Sequence, residues 1–264
     1  MRVVNGKAYY NKIKQLNISH YAGEILYYTH APLRRVEKKI LDSIKTGVSI
    51  LDVGCGSGRF SIGAAQFGHP VFGVDITPDA IKAAKHKAKE LRLDNVHFVV
   101  GDMIGLPFRD NEYDYVFCPR FSINAVATFE YRRRAIQEMI RVVKPGGNVY
   151  IESFNKFYLG RGPLFLLKNI FRDVWRASVI TFCWLFRKQY TGLLPGDIIY
   201  ESNKVVGASK GYTHLPTVFE LTRMTPARIS CKFYSIPQIT GEHNLDLLKY
   251  CRYSIWVLLT KPRS

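Results

Sequence analysis

The stretch that decides the fold is Leu51-Asp52-Val53-Gly54-Cys55-Gly56-Ser57-Gly58-Arg59. The apolar run over residues 48–53 is short, rich in β-branched residues and stops at the glycines, which is typical of a buried strand. Glycines let the backbone turn sharply and let a ligand approach it closely. The pattern therefore predicts a strand, a ligand-binding turn and then a helix over residues 59–67.

Strands and helices continue to alternate after this turn. We predict strands over 71–75, 97–100, 113–117 and 148–154, and helices over 78–91 and 130–142. The C-terminal part is predicted to be helical over 156–190 and 217–224, loop-like over 192–211, and extended over 229–236 and 253–260. This order predicts an α/β fold with a doubly wound, mostly parallel sheet of seven strands.

The glycine turn alone does not identify its ligand, but two acidic residues narrow the choice. Asp75 ends the second predicted strand, 21 residues after Gly54, where a carboxylate can accept hydrogen bonds from ribose hydroxyls. The dinucleotide fingerprint G-x-G-x-x-G/A would place Gly or Ala at position 59, which is Arg59 here. Asp52 comes just before the first glycine, and its carboxylate would be repelled by the negative charge of a pyrophosphate. The residues favour an adenosine ligand that carries an amino group and no phosphate.

Five segments together resemble the class I S-adenosylmethionine-dependent methyltransferases. They are residues 51–58 (LDVGCGSG), 71–76 (VFGVDI), 101–108 (GDMIGLPF), 113–117 (YDYVF) and 138–147 (EMIRVVKPGG). The segments occur in the family's order over about a hundred residues. They look most similar to the branch of ubiquinone/menaquinone C-methyltransferases and small-molecule methyltransferases.

The resemblance implies S-adenosylmethionine as cofactor, S-adenosylhomocysteine as product and no metal ion. It implies that Asp52 and the loop from Gly54 to Gly58, including Gly56, hold the methionine portion. Asp75 would take the ribose hydroxyls, with Ile76 beside the adenine. Asp102 would bond the adenine amino group, with Met103 covering the ring and Pro119 facing the sulfonium. Cys55 lies in the loop and is interpreted as a packing residue of the cofactor site, not as a nucleophile.

The sequence indicates the residues that bind the methyl acceptor much less clearly. Methyl transfer from a sulfonium needs mainly alignment of the reactants and exclusion of water, which impose no fixed set of catalytic residues. Candidate residues are Tyr21 in an N-terminal helical lid, Arg120 after the fourth predicted strand, and Tyr212 and His214 before the last predicted helix. A buried tyrosine stripe and a capping histidine remain as structural alternatives for these residues.

Composition sets further expectations. The chain has 264 residues and a formal net charge of +17, of which residues 1–47 carry +6, residues 48–154 carry +1 and residues 155–264 carry +10. The five cysteines form no CxxC pair, which indicates a reducing compartment without a disulfide framework. With no signal-peptide pattern and no apolar run of spanning length, we expect a cytoplasmic protein or one peripheral at a membrane surface.

We divide the chain into a helical lid (1–47), a cofactor-binding core (48–154), a basic aromatic insertion (155–216) and a C-terminal part that completes the sheet (217–264). Residues 156–190 hold seven Lys/Arg, one acid and nine aromatic residues. They are interpreted as a membrane-docking helix that admits a lipid-like acceptor, as a nucleic-acid surface, or as a simple cap. We favour a small apolar or lipid-like acceptor over tRNA, with a catalytically silent cofactor-binding scaffold as a third alternative.

Overall fold

The computed structural model describes residues 5–158, 163–186, 192–202, 209–242 and 252–263. Its strands are β1 (Ile50–Val53), β2 (Val71–Asp75), β3 (Val96–Val100), β4 (Tyr113–Cys118), β5 (Val143–Phe154), β6 (Asp197–Ser202), β7 (Ser209–His214), β8 (Ser230–Tyr234) and β9 (Ser254–Thr260). Its helices are α1 (Gly6–Gly23), α2 (Ile25–Thr29), α3 (Arg35–Ser43), α4 (Arg59–Gln66), α5 (Pro78–Glu90), α6 (Phe129–Val142), α7 (Pro163–Leu185), α8 (Val218–Met224) and α9 (Ile236–Thr240). A short 3-10 helix spans Ser122–Ala125.

Seven strands form one sheet in the order β3-β2-β1-β4-β5-β9-β8. The pairs among the first five strands are parallel, and β9 runs antiparallel to both β5 and β8. This confirms the predicted α/β fold with a mostly parallel, doubly wound sheet. Because parallel strands end at the same edge, the loops after β1, β2 and β4 converge there and form a cleft.

The sheet is covered on both faces. On one face Ile50 packs with α3, α4 and α5, through residues such as Ile40, Phe60 and Ile81. On the other face Leu51 and Val53 pack with side chains of α6 and α8. The residues of β1 therefore point alternately to the two cores, and the strand that carries the glycine turn is fixed from both sides.

The region predicted as loop-like over 192–211 is different in the structure. Strands β6 and β7 form a separate antiparallel pair in which Asp197 lies opposite His214 and Tyr200 opposite Gly211. The prediction was wrong because a two-stranded pair has no buried apolar face of its own to create a strong alternating pattern. Here β7 is instead covered by α1, where the Tyr212 backbone N–H donates to Asn17.

The predicted strand over 229–236 is also shorter than expected. It ends at Tyr234, and Ser235 caps α9 with its hydroxyl accepting from the Gln238 backbone N–H. The predicted helical stretch over 156–190 corresponds to α7, while residues 159–162 and 187–190 lie outside the described residues. Over the described part of the chain, every helix is too short or too polar to cross a bilayer.

Candidate functional site

The glycine turn lies at the bottom of the cleft, directly after β1. The Gly54 backbone N–H donates to the Val74 carbonyl at 2.8 Å, so the turn stays attached to β2. Gly56 has a φ of +54°, and a Cβ added there would meet nothing within 4 Å, which leaves the backbone open to a ligand. Gly58 lies behind the turn, where an added Cβ would come within 2.9 Å of the Phe98 ring.

Asp52 lines the cleft just before this turn and is fully buried. Ser61 Oγ donates to one carboxylate oxygen at 2.6 Å, while the other oxygen, Oδ1, has no hydrogen-bond partner. Burial raises the pKa of the Asp52 carboxyl to about 7, although the Ser61 hydrogen bond opposes this change. A buried acceptor without a partner is costly to keep, and it suits a ligand that brings a cationic donor.

Asp75 holds the turn from the second strand. Its carboxylate accepts from the Gly56 backbone N–H at 2.9 Å and from the Thr77 backbone N–H at 2.8 Å. Burial raises the pKa of this carboxyl despite these two bonds. Asp75 and the adjoining Ile76 both line the cleft, so a ligand that enters it meets this carboxylate and an apolar surface side by side.

Asp102 lines the cleft after β3, next to Met103. Its carboxylate accepts from Tyr10 Oη at 2.7 Å and from Lys14 Nζ at 2.8 Å, and both donors belong to α1. The Tyr10 ring also stacks on Tyr131 with centroids 4.3 Å apart. Helix α1 is thus attached across the cleft to Asp102, the carboxylate that the family resemblance implies for the adenine amino group.

Sequence reasoning missed Lys14 as a site residue, although a signal was present. Tyr10, Lys14, Asn17 and Tyr21 are spaced by four, three and four residues, which places them on one face of a helix. All four line the cleft in the structure. The sequence contained no direct indication of the element that this helix face would contact.

The loop after β4 closes the opposite wall with Pro119 and Arg120. Arg120 has a φ of +56°, a strained conformation for a side chain of this size. Its backbone N–H donates to Glu152 Oε2 at 2.8 Å, and Arg34 binds the same buried carboxylate at 2.6 and 2.8 Å. The hydrogen bond to Glu152 therefore holds the strained backbone of Arg120 in place. The Arg120 guanidinium lies 5.5 Å from the centroid of the Tyr28 ring.

The structure brings two of the four acceptor candidates to the cleft, Tyr21 and Arg120. Burial raises the pKa of Tyr21 well above its ordinary value, with Tyr200 as a further cause. Its phenol therefore stays protonated near neutral pH and can act as a hydrogen-bond donor. Cys55 also lines the cleft, and burial raises the pKa of its thiol, so it does not present a reactive thiolate.

The other two candidates, Tyr212 and His214, lie elsewhere. Both are buried around Asp197, which accepts from Tyr212 Oη at 2.7 Å, from Tyr9 Oη at 2.5 Å and pairs with His214 Nδ1 at 2.8 Å. Burial alone would raise the pKa of Asp197, but His214 and the tyrosine hydroxyls outweigh it and hold the pKa below its ordinary value. This cluster joins α1 to the β6–β7 pair and is separate from the cleft wall.

The residues of the cleft fit S-adenosylmethionine by chemistry. The unpaired oxygen of Asp52 suits an ammonium group, the open backbone at Gly56 suits close contact with the chain that carries it, and Asp75 and Asp102 suit hydroxyl and amino donors. The described part of the chain presents no cluster of three or more His, Cys, Asp and Glu residues placed to hold a metal ion.

Comparisons with known proteins agree with this geometry. A family model described as a methyltransferase domain matches residues 44–176. The demethylmenaquinone methyltransferase of Bacillus cytotoxicus is 30% identical over 181 residues, 65% of this chain and 73% of that protein. The corresponding Bacillus mycoides protein is 34% identical over the same shares.

Among solved structures, a SAM-dependent methyltransferase from Methanosarcina mazei matches with a TM-score of 0.62. The match covers 89% of this chain and 100% of that one. At 22% sequence identity it shows that the two proteins share a fold, and no more than that. The family model, the curated relatives and the seven-stranded sheet lead to one assignment. The chain belongs to the class I S-adenosylmethionine-dependent methyltransferases.

Proposed function

We propose that this methyltransferase acts on a small, largely apolar, lipid-like acceptor. The observation that carries the proposal is the composition of the acceptor side of the cleft. Tyr21, Ile25 and Tyr28 line it from α1 and α2, and Pro119 and Val126 line it from the segment after β4. Such a wall excludes water and binds an apolar ring by burial of its surface.

In this proposal the cofactor is held by nine residues that line the cleft: Asp52, Gly54, Cys55, Gly56, Asp75, Ile76, Asp102, Met103 and Pro119. The predicted cofactor residue Gly58 does not line the cleft and instead packs behind the turn against Phe98. S-adenosylmethionine, when bound, supplies an electrophilic methyl group on a sulfonium. The protein's own contribution is to orient the two reactants and to keep the cleft dry, which is most of what such a displacement requires.

The names of the curated relatives suggest a specific acceptor, a demethylmenaquinone-type ring. A hydroquinone ring carbon becomes a good nucleophile when a neighbouring hydroxyl releases its proton to solvent. After the methyl group has been transferred, the hydrogen of the methylated ring carbon leaves as a proton and the hydroxyl is restored. We propose that the Arg120 guanidinium stabilises that developing oxygen anion, and that the Tyr21 hydroxyl exchanges its hydrogen bond to Tyr200 for one to the acceptor. Both groups are on the cleft wall, whereas Tyr212 and His214 bind Asp197 between α1 and the β6–β7 pair.

Methyl-labelled S-adenosylmethionine offered to separate acceptor pools tests the proposal. The pools are a reduced demethylated naphthoquinone in detergent, bulk tRNA, and a polar metabolite extract. We expect label in the naphthoquinone. Label in tRNA alone would overturn the proposal in favour of RNA methylation, and label in no pool despite calorimetric binding of the cofactor would favour a silent scaffold.

Two variants refine this experiment. Arg120→Lys keeps a positive charge but loses the planar guanidinium, and Tyr21→Phe removes only a hydroxyl. We expect both to lower methyl transfer while the cofactor still binds, because neither residue is assigned to the cofactor. Asp75→Ala serves as the matched control that should lose cofactor binding as well.

A further inference from the structure

Helix α7 carries its apolar side chains on the outside of the molecule. Phe171 and Trp175 are each 71% exposed, and Leu185 is 62% exposed. We define the outward face of α7 as these three residues together with Val174, Phe182 and the adjoining Phe186, all of them exposed. Their spacing of three, four and seven residues places them along one side of the helix.

The inward side of the same helix is polar, and its contacts fix the helix orientation. Asp173 is buried and pairs with Lys156 at 2.6 Å and with Arg172 at 3.3 Å. Arg176 donates to the carbonyls of Leu194 at 3.1 Å and Asp197 at 2.6 Å. Turning the apolar side inward would break these buried contacts, so the outward face is exposed because of the way the helix is attached.

The charges around this face point to an anionic occupant. Asp173 is the single acid within residues 156–190, and its bound cations neutralise it, whereas Lys168 is exposed on the helix. In the sequence, residues 156–190 hold seven Lys/Arg against this one acid. A second copy of the chain on this face would bring two such regions together, which is unfavourable.

We propose that the outward face of α7 lies in the headgroup–acyl boundary of an anionic lipid bilayer. Its aromatic and aliphatic side chains enter the boundary, and the basic residues contact the lipid headgroups. The helix would then lie along the surface over about 34 Å, from its 23 residues. This surface is distinct from the cofactor cleft, and docking there requires neither cofactor nor acceptor.

Vesicle sedimentation of the full chain tests the proposal. Vesicles of phosphatidylcholine alone are compared with an equimolar mixture of phosphatidylcholine and phosphatidylglycerol. We expect binding to the mixed vesicles and much weaker binding to the neutral ones. In Phe171→Ser/Trp175→Ser we expect the partition coefficient to fall by about tenfold or more, since two large apolar side chains no longer enter the boundary. Both residues are exposed, so the variant should keep its thermal unfolding midpoint.

The matched control is Phe219→Ser on α8, where the phenylalanine is 69% exposed. It should bind vesicles like the wild type, and an equal loss in both variants would refute the assignment to α7. Unchanged binding of the double variant would refute it as well. A second copy would be the occupant, and the proposal refuted, if the wild type bound no vesicles and light scattering showed it to be a dimer while the double variant was a monomer. Nucleic acid would be the occupant, and the proposal refuted, if the wild type bound tRNA but no vesicles and the double variant no longer bound tRNA.

Discussion

Replacement of Asp52 by asparagine should stabilise the protein and weaken its cofactor binding at the same time. Asp52 is fully buried, one of its oxygens has no partner, and burial raises its pKa from 3.8 to about 7. Above pH 7 the folded protein therefore holds a charge that the unfolded chain would hold more easily. Three pKa units correspond to a cost of about 4 kcal/mol.

The sign of the pH dependence follows from the raised pKa. The carboxyl releases its proton more readily in the unfolded chain, so stability is lost as the pH rises from about 4 to about 7. The uncharged amide of the Asp52→Asn variant would mimic the protonated form at every pH and keep an acceptor for Ser61. We expect the stability advantage of Asp52→Asn over the wild type to widen by about 3 kcal/mol between pH 5 and pH 8. Urea unfolding of both proteins at the two pH values measures it.

Cofactor binding should respond in the opposite direction. Near pH 6 the Asp52 carboxyl is about nine-tenths protonated, so affinity for a ligand with an ammonium group should fall about tenfold relative to pH 8. Calorimetric titration with S-adenosylmethionine measures this, and Asp52→Asn should bind weakly at both pH values. A stability gap that stays constant with pH, or a wild-type affinity that is equal at pH 6 and pH 8, would refute the reasoning.

Three further substitutions test other contacts. Asp75→Ala leaves the backbone N–H groups of Gly56 and Thr77 without their acceptor and should weaken S-adenosylmethionine binding by about 2–3 kcal/mol in calorimetry; an affinity like that of the wild type would contradict the assigned role. Lys14→Met removes the ion pair with Asp102, so bound cofactor should dissociate a few-fold faster, about 1 kcal/mol, in an isotope-dilution experiment; an unchanged rate would mean that α1 does not retain the ligand. Asp197→Ala deprives two tyrosines and a histidine of their shared acceptor and should cost about 3–5 kcal/mol in urea unfolding, whereas a loss below about 1 kcal/mol would show that this cluster contributes little.

Much of the core was predictable because its signals are local. The run before Gly54 is apolar and β-branched, the glycines follow at once, and Asp75 ends the next strand. Parallel strands that end at one edge necessarily bring these residues together, so the cleft around Asp52 and Asp75 follows from the order of the elements. The same signals carried the resemblance to the methyltransferase family.

The acceptor side was less predictable because its contacts join distant parts of the chain. Tyr212 and His214 are as plausible in sequence as Tyr21, yet they lie around Asp197 and not at the cleft. The β6–β7 pair has weak local signals, since its stability depends on the contact with α1. Glu152, which supports the strained Arg120 backbone, lies 32 residues further along the chain.

The sequence by itself determined the strands that alternate with helices, the glycine turn and the carboxylates at the strand ends, because each is set by residues that are neighbours in the chain. Only the tertiary structure decided that α1 reaches Asp102 through Tyr10 and Lys14, 92 and 88 residues away. It also decided that α7 turns its polar side inward, because Asp173 finds its cations there. Composition alone did not decide whether residues 156–190 form a cap or a docking helix. The structure gives α7, which lies within them, a defined outward face.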